Sequence, residues 1–157
     1  MRLDFTFWDE WRGSLDGRPT MWISRLFKLP YWRKAGKLLS CRVDLHKFVG
    51  IDDPECLHSH PAYAIRIVLW GGYVEEYVQP GSKSYGYRWW RPGMWGVVRP
   101  ELVHRVDELL NGTVSYSLWL RGPICAGIKL VGDGWAKQRG VTTDDSSAAM
   151  DSRVAGK

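Results

Sequence analysis

An all-β barrel or sandwich is the fold class that this sequence predicts, on three observations. Aromatic residues are abundant, with ten Trp, seven Tyr and four Phe among 157 residues, and aromatic and β-branched side chains favour strands. Short apolar runs follow one another, each closed by Gly, Pro or Asn, with almost no stretch of helical period. Hydrophobic residues at 45% and charged residues at 25% are globular values, and one domain of this length can bury a core without disulfide staples.

Residues 1–38 mix aromatic, basic and turn residues: Trp8, Trp11, Gly13, Gly17 and Pro19, then the run from Met21 to Leu29. One short helix is expected within 20–29, ended by Pro30. The segment is expected as an N-terminal arm packed on the outside of a barrel that occupies 39–137. From Ser40 to Val49 apolar and polar residues alternate, and 50–55 form a polar loop. Strands are expected over 62–70, closed by Gly71-Gly72, and over 73–78, before the turn at Pro80-Gly81. Further strands are expected over 84–91, 94–99 and 102–107. Asn111-Gly112 is a turn signal, and 113–121 and 124–131 read as the last two strands. The tail, 138–157, is Ser, Ala, Asp and Gly without an aromatic residue. It offers too little apolar surface to offset its ordering entropy and is expected to be disordered.

The net charge of +5 is mildly basic, short of the dense Lys/Arg loading of a nucleic-acid binder. Cys41, Cys56 and Cys125 form no C-x-x-C pair, and Asp4 and Asp9 interrupt any signal-peptide core at the start. No apolar run reaches the roughly 18 residues of a membrane span. These features lead us to expect a cytoplasmic protein with free thiols and no membrane partner.

Two of the four histidines sit in Leu57-His58-Ser59-His60-Pro61. In a strand, residues i and i+2 share a face, so His58 and His60 can point two imidazoles at one spot. Two such ligands bind weakly alone, and His104, after Pro92-Gly93, a strand and Pro100, is the candidate third. Imidazole suits Fe, Zn, Ni, Mn or Cu, so the donors alone do not choose the ion.

In these residues the sequence resembles the cupin superfamily. His58-x-His60 followed by Gly71 matches its first motif. Pro92-Gly93, Pro100 and His104 match its second, with a slightly longer spacer that a bulge would absorb. Leu45-His46-Lys47-Phe48, Leu57 to Pro61, Gly71-Gly72-Tyr73-Val74-Glu75 and His104-Arg105 further resemble a running pattern of small uncharacterised cupin-like proteins of bacteria and bacteriophages. The likeness spans roughly residues 40–130. It implies a cupin double-stranded β-helix, a jelly-roll-like barrel holding one divalent metal ion (Fe, Zn, Ni or Mn) at His58, His60 and His104. The motif's glutamate falls on Ala64 or Ile65, which cannot bind metal. That leaves a three-histidine site with open positions, as in catalytic centres, and Glu75 or Glu76 on the next strand as candidate fourth ligand or base. Thiol dioxygenases share three histidines but add a Ser-His-Tyr relay. Here the corresponding stretch is Ser115-Tyr116-Ser117-Leu118-Trp119, which argues against thiol oxidation by that mechanism.

Arg66 and Tyr73 are candidate substrate contacts. An arginine in an apolar strand suits a carboxylate or phosphate if it faces the pocket, and is merely solvated if it faces out. His46 is expected to support the ligands from behind rather than bind metal. Cys56 reads as a small buried apolar residue. Of Trp89 and Trp90 in Arg88-Trp89-Trp90-Arg91, at least one should be core. The functional expectation is a metal-dependent oxygenase, isomerase or hydrolase acting on a small polar or anionic molecule. The alternative is a non-catalytic metal-containing module. A homodimer through sheet edges fits either.

Overall fold

The computed structural model describes residues 6–10, 18–28, 32–34, 37–78 and 84–132. Among the described residues the chain forms thirteen strands and no helix. The first seven are β1 (Thr6–Glu10), β2 (Met21–Lys28), β3 (Trp32–Lys34), β4 (Lys37–Leu39), β5 (Arg42–Phe48), β6 (Leu57–His58) and β7 (Ala64–Trp70). There follow β8 (Tyr73–Val78), β9 (Tyr85–Trp90), β10 (Trp95–Val98), β11 (His104–Leu109), β12 (Ser115–Arg121) and β13 (Leu130–Val131). One sheet has the order β1-β2-β5-β12-β7-β10 and the other β13-β6-β11-β8-β9, while β3 and β4 pair separately. No helix among the described residues is long and apolar enough to cross a membrane.

Alternation decides what the strands bury. Along β5 the buried positions are Asp44, His46 and Phe48; along β7, Ala64, Arg66 and Val68; along β12, Ser115, Ser117 and Trp119. The inner face of the larger sheet is therefore polar at its centre, where a purely structural sandwich would carry aliphatic residues. Two apolar clusters flank that polar band. Met21, Ile23, Phe48, Val68, Tyr73, Trp90, Val106 and Leu109 form one. Ala64, Val98 and Trp119, with Leu102 against them, form the other.

Two expectations are corrected. Residues 21–28 are a strand, not a helix, and pair antiparallel with β5. Met21 and Ile23 are buried while Trp22 between them is exposed, a period of two that the pairing with β5 can use and a helix cannot. This part of the expected arm, together with β1, thus extends the larger sheet. The strand expected over 124–131 shrinks to Leu130–Val131. Its earlier backbone groups instead bind the loop after β6: Cys125 and Ala126 N–H donate to the Pro61 carbonyl at 2.8 and 3.1 Å. The expected tail, 138–157, lies outside the described residues.

Gly71 and Gly72 carry the chain from the larger sheet to the smaller, with φ of 76° and 98°. A Cβ on Gly71 would stand 2.2 Å from the Val114 carbonyl oxygen, and one on Gly72 2.5 Å from that of Trp90. Only glycine fits this crossing. Its consequence is that β7 and β8 face each other across the interior, which brings Arg66 against Glu75.

Candidate metal centre

His58 and His104 are directly opposed across the antiparallel β6–β11 pair, and directly opposed residues share a face. Their ring centroids lie 5.2 Å apart. His60 follows just beyond β6, and its ring lies 5.4 Å from that of His58 and 4.9 Å from that of His104. The loop is pinned on its far side by the segment before β13. Ser59 N–H donates to the Lys129 carbonyl at 2.9 Å, and Lys129 N–H donates to Ser59 Oγ at 2.8 Å. The histidine between-residue is thus the anchor that keeps both imidazoles turned inward.

All three histidines are buried, and each offers one ring nitrogen within 4.8 Å of the others. The Nε2 atoms of His60 and His104 are 2.7 Å apart. His104 Nδ1–H donates to Glu75 Oε1, which leaves the Nε2 lone pair of His104 pointing at the cluster. Two ring nitrogens so close need a shared proton or a cation between them. Nitrogens each about 2.1 Å from one ion, at cis or tetrahedral angles, stand about 3.0–3.4 Å apart. A few tenths of an ångström of opening would therefore seat an ion, and the donor set fits a divalent transition metal.

Behind His104 lies a fully buried ionic layer. Arg66 Nη1 and Nη2 donate to Glu75 Oε1 and Oε2 at 2.5 and 2.6 Å. Trp90 Nε1 donates to Glu75 Oε2 at 2.9 Å, and the Arg66 guanidinium lies 3.8 Å over the Trp90 ring. Burying two charges costs several kcal/mol each unless geometry and further hydrogen bonds offset it; here the fork is bidentate and stacked. Burial would push the Glu75 carboxyl up, but His104 and Arg66 beside it hold it well below the usual carboxylate range. Glu75 therefore remains an anion and an acceptor. Tyr73 Oη accepts from Arg66 Nη1 at 3.2 Å, and burial pushes this phenol up to about 12.

The expected site residues separate on this geometry. Arg66 faces inward, onto Glu75 rather than outward to solvent. Glu75, the candidate fourth ligand or base, shares its two oxygens among Arg66, Trp90 and His104. Glu76 turns to the opposite face of β8, where it accepts from Arg105 Nε at 2.5 Å and Tyr87 Oη at 2.7 Å. His46 stacks on Trp119 at 4.6 Å, and the Trp119 ring lies 5.2 Å from that of His60. Cys56 is buried and stays outside the cluster. A cavity of about 20 Å³ adjoins the histidines, with His46, Tyr73, Arg66 and Trp119 in its wall; it has room for a water-sized occupant. Trp119 is a contributor that the sequence did not single out, and Trp90 is expected from the sequence only as one of two candidates for the core. Trp90 is 4% exposed and Trp89 is 53% exposed, so strand parity separates the pair once the register is known.

No protein-family model matches the sequence, and no curated protein matches it. Solved structures do. Fe(II)-HppE with the alternative substrate (S)-1-HPP superposes with a TM-score of 0.54 at 10% identity, over 75% of this chain and 56% of that one. A second structure, of FeII HppE, gives 0.52 at 11% identity over the same shares. Oxalate oxidase in complex with the substrate analogue glycolate gives 0.46 at 18% identity, over 74% and 65%. The chain spans little more than half the length of the HppE chains. At such identities the likeness is one of fold. Two antiparallel sheets form a double-stranded β-helix in this chain, with a cluster of three buried histidines.

Proposed function

We propose that this protein is a metal-dependent enzyme that acts on a small polar or anionic molecule at His58, His60 and His104, with one divalent ion of Fe, Zn, Ni or Mn. The observation that carries this reading is the convergence of three buried imidazole nitrogens within 4.8 Å, one of them already oriented by a carboxylate. A bound ion would supply Lewis-acid or dioxygen chemistry at an open coordination position. The chain's own residues do the rest. Glu75 holds the His104 ring and keeps its Nδ1 protonated. Arg66 and Trp90 hold Glu75. Tyr73 keeps its proton at neutral pH and, since its oxygen accepts from Arg66, its hydroxyl is a donor rather than a base. Trp119, Val106 and Met21 give the cavity an apolar wall.

The small cavity favours a second reading, a non-catalytic module in which the ion ties strands together. Chelator-stripped protein reloaded separately with Fe(II), Zn, Ni and Mn separates the two. Oxygen consumption or conversion of small organic acids with one ion, abolished by His60→Ala, is the result expected of the enzyme. Bound metal that raises the melting temperature without turnover would leave the module.

A further inference from the structure

The larger sheet reverses the usual order of its two faces. Its inner positions carry Asp44, Arg66, Ser115 and Ser117, all buried, while its outer positions are apolar. Trp95 on β10, Ile67 on β7, Leu118 on β12 and Leu45 on β5 stand opposite one another in one row across four strands. Val97, Ile65, Leu120 and Val43 form the next row, and Phe27 on β2 extends it. Directly opposed residues share a face, so the two rows make one continuous surface, with no charged side chain in either. An antiparallel sheet that faces water on one side places polar residues there; this one does not.

The face also has relief. Val97, Ile65, Leu120 and Val43 line an open depression of about 370 Å³, with Tyr63 beside them. Its size is within the range of pockets that take a small ligand, so it has room for an indole. In the neighbouring row Trp95 is 67% exposed. Projection and hollow therefore lie side by side on one surface. A twofold axis sets each against the other, because in an isologous contact residue i meets j and j meets i.

Strands about 4.8 Å apart and rows about 6.8 Å apart give the face, with Phe27 and Tyr63 at its rim, on the order of 500 Å². That is at the upper end of what monomers leave to water, and near the roughly 600 Å² per partner of a small stable interface. Transient interfaces are about as apolar as the rest of a protein surface, whereas homodimer interfaces are more so. Rows without charge also bring no like charges together when the face meets its own copy, and they offer nothing to a phosphate backbone.

We propose that this face seats a second copy of the chain, the two larger sheets packed face to face about 10 Å apart with each Trp95 in the other copy's hollow. The metal cluster lies on the inner side of the barrel, so the dimer does not rest on the function proposed above.

The test is sedimentation velocity of the full chain from about 1 to 100 µM, the range in which a small interface associates. The wild type sediments as a dimer. Trp95→Ala empties the hollow, and Leu120→Glu, two strands in from the β10 edge, sets a charge in the contact. Each weakens the dimer by about 30-fold or more, with the far-UV circular dichroism unchanged. Trp89→Glu replaces an exposed aromatic of the smaller sheet and leaves the dimer intact. A wild type that stays monomeric throughout would overturn the proposal. So would a dimer indifferent to Leu120→Glu, which would place the contact at the β10 edge, or one lost equally in Trp89→Glu, which would make it general stickiness. Should Leu120→Glu fail to fold, Leu120→Ser and Trp95→Ala read the same contact.

Discussion

Glu75 and Glu76 are neighbours on β8, both buried, each gripped by an arginine and an aromatic donor, and they serve different ends. Glu75 faces inward, where Arg66 and Trp90 hold it and it accepts from a metal-cluster histidine. Glu76 faces the other way, where Arg105 and Tyr87 hold it. Arg105 Nη2 also donates to Asp107 Oδ1 at 2.5 Å, and its Nη1 to the Asp52 carbonyl at 3.2 Å. That second network ties β8, β9, β11 and the 50–55 loop together. Two like carboxylates with like partners thus divide between site and scaffold by the pleat of one strand.

Substitutions can break this contrast, and the largest effect should come from Glu75→Ala. It strands the Arg66 charge in the interior and should cost about 3–5 kcal/mol of stability, read by chemical denaturation of the metal-free protein. Glu75→Gln keeps the shape, loses less stability, and should weaken metal affinity by about 10–100-fold in a chelator competition, because His104 loses its anionic acceptor. Glu76→Gln should cost about 1–2 kcal/mol and leave metal affinity unchanged. Equal metal losses in Glu75→Gln and Glu76→Gln would erase the distinction between the two faces.

A pH series sharpens the same point more gently. Glu75 has a folded-state pKa below the usual 4.5, so the stability it contributes is fully present above that value. It is lost as pH falls through the lower folded value. The stability gap between metal-free wild type and Glu75→Gln should therefore be flat above pH about 4.5 and shrink below it. A gap that grows on acidification would contradict the assignment of Glu75 as a buried anion.

The sequence was more legible in strands than in side-chain partnerships. His58-x-His60 and His104 stand out because histidine is rare in this chain and its spacing follows the strand period. Most strands from 62 to 121 are bounded by glycine, proline or asparagine, and their limits agree with the structure to within a few residues. Met21–Lys28 misleads because its apolar residues fit either period locally, and only pairing with β5 decides between them. The 124–129 stretch looks like a strand in composition, yet its N–H groups are used on Pro61. The Arg66–Glu75 pair was beyond reach for another reason. It depends on the Gly71–Gly72 crossing, which sets two sequence neighbours on facing sheets, and no local pattern states that geometry.

The central claim is that His58, His60 and His104 hold one divalent ion. Elemental mass spectrometry of freshly purified wild type and the His58→Ala/His104→Ala double variant tests it most directly. The account predicts about one equivalent of a transition metal in the wild type, held by the three imidazoles, and almost none in the variant. A wild type that carries no metal and takes up none from a panel of divalent ions would contradict it.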